Sequence, residues 1–87
     1  METEKADKMF EELGYEKIAD CKQEDISACI YENRKKYSIY NEIKIIIFHY
    51  KTKKITLDTD YISMQELQAI NEKCKELGWF DEWGRNT

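Results

Sequence analysis

The amino-acid sequence predicts an α+β fold: an antiparallel sheet of three to four strands flanked in sequence by two helices, α-β-β-β(-β)-α, with the helices on one face. Two observations lead there. The chain is bracketed by a repeated helix-stop sentence, Glu12-Leu13-Gly14-Tyr15 near the start and Glu76-Leu77-Gly78-Trp79 near the end. Glycine enters the left-handed region after a helix without a Cβ penalty, and the aromatic that follows can fold back on the last turn, Tyr15 toward Phe10 and Trp79 toward Cys74. Between the two stops the apolar spacing changes from helical to alternating, which is the signature of strands. With 87 residues, the chain makes a single domain over 1–87, of a size that buries only about 60–65% of its unfolded surface.

The first helix is expected over 4–13. Thr3 is its candidate cap, and Ala6, Met9, Phe10 and Leu13 form its apolar stripe. It is too short to stand alone and needs a partner surface. The segment Tyr15 to Asp20 can add an edge strand. From Ile26 the period is two, and β-branched and aromatic residues dominate through Tyr50. Polar clusters at Asn33-Arg34-Lys35-Lys36, Asn41-Glu42 and Lys51-Thr52-Lys53-Lys54 divide this stretch into strands near 26–32, 37–41, 43–50 and 54–58. The second of these can also be a continuation of the third. The last helix, 64–77, is written most clearly. Ser63 and Glu66 make a capping box, Ile62 and Leu67 sit at the staple positions, and Leu67, Ile70, Cys74 and Leu77 recur at helical spacing. An aromatic and acidic tail occupies 79–87.

Alternation assigns faces to the sheet. Ile43, Ile45 and Ile47, with Ile30, Ile39, Ile55 and Leu57, are expected to form the floor beneath the helices. The opposite parity, Cys29, Tyr31, Tyr40, Ile46, Phe48 and Tyr50, is then expected to face solvent. A contiguous aromatic patch on a small protein marks a contact surface, which makes Tyr31, Tyr40, Phe48 and Tyr50 candidate partner-binding residues. The competing reading folds loop 15–25 or the tail over them.

The net charge of −4 conceals a segregation. Residues 1–25 carry nine acids and four bases, net −5; residues 26–57 carry two acids and seven bases, net +5; residues 58–87 carry seven acids and three bases, net −4. In a four-strand meander the first and third turns share an end, which would gather Arg34, Lys35, Lys36, Lys51, Lys53 and Lys54 into one basic rim. Such a rim can hold nucleic acid or a small anionic nucleotide, although lysine-rich turns are also ordinary guards of sheet edges. Conversely, the acidic set Glu11, Glu12, Glu16, Asp20, Glu24 and Asp25, with Asp81 and Glu82 in the tail, can enter a basic groove on another protein.

Nothing points to catalysis. The sequence has no glycine-rich phosphate loop and no Ser/His/Asp set in a recognisable context. The three cysteines, Cys21, Cys29 and Cys74, are odd in number and contain no Cys-x-x-Cys pair, and His49 is the only histidine. We therefore expect no catalytic residue, metal site or cofactor. The longest apolar run, Ile45 to Phe48, is far short of a membrane span, and the N-terminus lacks a secretory pattern, so a cytoplasmic protein is expected.

The layout resembles small phage and prophage accessory proteins of Gram-positive bacteria. The resemblance rests on Met9-Phe10-Glu11-Glu12-Leu13-Gly14-Tyr15-Glu16-Lys17, on Tyr31-Glu32-Asn33, on the strand Ile45 to His49 followed by Lys54-Ile55, and on Glu66 to Lys73 leading into Glu76-Leu77-Gly78-Trp79. These are mainly helix stops and core positions and supply no catalytic residue. The resemblance implies a product that works in the infected host's cytoplasm by binding and inhibiting a host protein or ribonucleoprotein complex, as anti-CRISPR proteins do with defence nucleases. The alternatives are direct binding of nucleic acid or a nucleotide through the basic rim, and a homodimeric phage structural or regulatory component.

Overall fold

In the computed structural model the described residues are 5–23, 27–36 and 41–80, with the backbone alone for 35, 36 and 41. The element order is α1 Lys5–Glu12, β1 Glu16–Lys22, β2 Ser27–Lys36, β3 Asn41–His49, β4 Lys54–Asp58 and α2 Met64–Glu76. The fold is the expected α+β arrangement with four strands, joined in the order β1-β2-β3-β4 and all antiparallel. Two compact units result. One contains both helices and the other, Gly14–Tyr61, contains the sheet.

Both helix stops behave as the spacing predicts. Gly14 has φ 95° and Gly78 φ 75°, in the left-handed region. At the other end of α2 the capping box is complete: Glu66 N donates to Ser63 Oγ at 3.1 Å, and Ser63 N donates to Glu66 Oε1 at 2.8 Å. Thr3, the expected cap of α1, lies outside the described residues. A carboxylate from the other helix serves the first turn of α1, where Ala6 N donates to Glu76 Oε2 at 2.8 Å. A negative group there meets both an unpaired first-turn N–H and the positive end of the helix dipole. Lys5 Nζ adds an ion pair to Glu72 at 3.7 Å.

The buried face of α2 is turned from the one expected. Glu66, Ala69, Ile70, Lys73 and Cys74 are buried, whereas Leu67 is 37% exposed. The small Ala69 and, on α1, the small Ala6 are both fully buried, as suits helices that pack on each other at close range. Burial raises the Cys74 thiol above its ordinary pKa, consistent with a core side chain.

In the sheet, the expected edge segment is β1, which carries a bulge between Lys17 and Ala19. The polar run Asn33 to Lys36, expected to be a turn, is instead the end of β2. It pairs Asn33 with Lys44, Arg34 with Ile43, Lys35 with Glu42 and Lys36 with Asn41. Backbone pairing with β3 and the burial of Asn33 outweigh the local turn preference. Of the expected strand 37–41, residues 37–40 lie outside the described residues and Asn41 opens β3. Since β1 stops pairing at Glu16–Glu32 and β4 at Asp58–Ile45, the far end of β2 and β3 continues as a two-stranded ribbon.

Two backbone positions give opposite predictions in one assay. A Cβ on Gly14 would sit 3.3 Å from Asn33 Nδ2 in a left-handed conformation, so Gly14→Ala should cost about 1–3 kcal/mol. Lys53 holds φ 56° in the β3–β4 turn, so Lys53→Gly should gain up to about 1 kcal/mol. Urea midpoints at constant slope measure both; a neutral Gly14→Ala would contradict the assignment.

Candidate functional site

Antiparallel register decides which side chains share a face, because directly paired residues point the same way. Three rows follow from the observed pairs. Ala19, Ile30, Ile47 and Thr56 form one; Cys21, Ala28, His49 and Lys54 lie on one side of it; Glu16, Glu32, Ile45 and Asp58 lie on the other. The ribbon adds Arg34 and Ile43 to the same face. Its centre is thus Ile30, Ile45 and Ile47, all half-buried, with Ile43 at 47% exposure.

The opposite face carries Cys29 and Phe48 in one row and Tyr31 and Ile46 in the next. All four are at most 1% exposed, and Tyr31 meets Phe48 edge to face at 5.8 Å. The expected open aromatic surface is therefore corrected: Tyr31 and Phe48 are core residues, and the isoleucine face is the less buried one. Large aromatics bury the most apolar area per residue, so the parity that carries them goes inward. Register moves Ile55 and Leu57 as well, since they pair with Phe48 and Ile46 rather than joining the isoleucine parity. Tyr40 lies outside the described residues.

Tyr50 is half-buried at the end of the aromatic side. Its hydroxyl donates to Asp20 Oδ1 at 2.6 Å, and Lys22 Nζ lies 5.4 Å from its ring centroid. Burial first, then the bond to Asp20, holds the phenol well above its usual pKa. Lys17 Nζ also reaches Asp20, at 3.6 Å. The two Tyr50 contacts cross from β1 to the β3–β4 turn.

The basic rim does not form. Arg34, Lys35 and Lys36 end β2 beside the start of β3, whereas Lys51, Lys53 and Lys54 follow its last residue. The length of β3 separates them, roughly 25 Å at about 3.3 Å per residue. Moreover, Arg34 is already engaged: its Nε donates to Glu32 Oε1 at 2.6 Å, and that carboxylate raises its pKa further. The expected geometry placed two strands between the two runs, whereas β2 pairs directly with β3 and a single strand lies between them. Lys51, Lys53 and Lys54 are exposed.

The acidic set is divided too. Glu11 and Glu12 are exposed on α1, while Glu16 and Asp20 are exposed on β1. Glu24, Asp25, Asp81 and Glu82 lie outside the described residues. An acidic grouping that the sequence did not reveal sits where β4 leaves β3: an open cleft of about 320 Å³ bounded by Glu42, Ile43, Asp58, Asp60 and Tyr61. Lys44 Nζ lies 4.2 Å from the centroid of the Tyr61 ring, one of the cleft's walls. Among the described residues no group of three or more His, Cys, Asp or Glu is arranged to hold a metal ion, and no helix is long and apolar enough to cross a membrane. His49 Nε2 is 2.7 Å from Thr56 Oγ1.

What the sequence reading missed is the exposure of Ile30, Ile45 and Ile47. The signal was present in their neighbours of equal parity, Ala28, Glu32, Arg34 and His49, which are small or polar, against Cys29, Tyr31, Ile46 and Phe48 on the other. Comparison with family models, curated proteins and solved structures finds no match for this chain.

The Tyr50 contact sets a pH dependence. A phenol whose pKa is raised by folding contributes stability below its unfolded value, about 10, and loses it as pH rises beyond that point. Urea unfolding should show the protein losing stability above about pH 10 more steeply than Tyr50→Phe does. Equal slopes would show that the bond to Asp20 does not hold the proton.

Proposed function

We propose that this protein acts by stoichiometric binding to another protein, without catalysis, and that the isoleucine face of its sheet is the contact surface. The observation that carries this reading is the half-buried apolar patch of Ile30, Ile45 and Ile47, extended by the exposed Ile43. Half-buried β-branched side chains on a rigid sheet offer apolar area with little rotamer entropy to lose. Their rim of Glu16, Glu32, Arg34, Lys54 and Asp58 supplies the charges that set register and partner choice.

In the phage-type setting implied by the resemblance, the target is a host protein or ribonucleoprotein complex in the bacterial cytoplasm, a defence nuclease of the CRISPR kind included, and the effect is inhibition. Direct binding of nucleic acid or a nucleotide loses its main support with the separation of the two basic runs.

The test is capture of a stoichiometric protein from a Gram-positive host lysate, compared with Ile45→Asp, followed by activity assay of the captured complex. Loss of capture in the variant is the expected outcome. Equal capture by Ile45→Asp, or recovery of nucleic acid alone through the native protein, would overturn the reading.

A further inference from the structure

We infer that in the free protein the isoleucine face is closed by a second copy of this chain, in a face-to-face dimer whose two-fold axis runs perpendicular to the strands through the Ile30–Ile47–Thr56 row. This rests on the reading of that face as a protein-contact surface and names its occupant.

The argument is one of charge and symmetry. Along the strands the face is polarised: Glu16 and Asp58 lie on one side of the central row, where Glu32 is already paired with Arg34, and Lys54 lies on the other beside His49. Two sheets can stack about a two-fold in the interface in two simple ways. An axis along the strands lays each acidic end on its counterpart, which is repulsive. An axis across the strands exchanges the ends and keeps each strand over its own copy. Asp58 and Lys54 sit one row to either side of Thr56 on β4, so the second axis sets Asp58 of each copy against Lys54 of the other, twice. Both residues are exposed and free to swing into place. Ile47 of one copy meets Ile47 of the other at the centre, with Ile45 against the ring of His49 beside it. Of these two axes, only the second sets opposite charges against each other.

Size sets the strength. Strands about 4.8 Å apart, with about four face residues each, give a footprint on the order of 400 Å², well below the roughly 800 Å² per partner of a standard interface. The dimer is accordingly weak and concentration-dependent, and a target that takes the same face does so by displacing the second copy.

Sedimentation equilibrium from low to high micromolar concentration tests this. The mass should rise from one chain toward two, Ile47→Asp should remain at one, and the exposed substitutions Lys54→Glu and Asp58→Lys should each weaken association several-fold. Combined, Lys54→Glu with Asp58→Lys should restore it. A single-chain mass throughout overturns the dimer but leaves the contact-surface reading intact if Ile45→Asp still abolishes host capture. A double variant no stronger than the single ones overturns the axis and with it the proposal, and association that survives Ile47→Asp places the interface elsewhere.

Discussion

The register of β2 against β3 is the constraint on which the rest depends. Pairing Ile30 with Ile47 and Tyr31 with Ile46 sends every large aromatic of the central strands to one side and every isoleucine of odd number in β3 to the other. A slip of one residue in β3 would exchange the two sets and expose Phe48. Burying Tyr31, Phe48, Ile46 and Cys29 holds the register, at roughly 1.5–3 kcal/mol for each large side chain removed from water.

The helical unit solves a different problem. An eight-residue helix is below the length that is stable in water by itself. Here α1 is held by what α2 supplies: a carboxylate from Glu76 at its first turn and an ion pair from Glu72. The two ends of α2 thus do separate work. Ser63 and Glu66 start it, and Glu76 starts its neighbour. Only the first of these roles has a local motif; the second depends on how the helices meet.

That difference explains what could be read in advance. Helix stops at Gly14 and Gly78 and the box at Ser63 are local events governed by a few adjacent residues, and they were legible. An antiparallel sheet of three to four strands was legible from alternation, although β1 was expected only as an optional edge segment. Strand ends were not, because Asn33 to Lys36 have turn chemistry and become strand only through partners in β3. The choice of face was not, because alternation gives two parities and does not say which is inside. Side-chain size decides that, and the isoleucines were weighed by hydrophobicity alone. The basic rim then failed because β3 alone, and not two strands, lies between the two groups of cations.

The functional reading consequently rests on parity, and one pair of neighbours tests it most directly. Ile45 and Ile46 are chemically identical, adjacent in the chain and opposite in orientation. In urea unfolding at dilute concentration, Ile46→Asn should cost about 3 kcal/mol or more through loss of burial and an unpaired amide in the core, and Ile45→Asn about 1 kcal/mol or less. Equal losses, or a greater one at Ile45, would contradict the account and close the face on which binding is proposed.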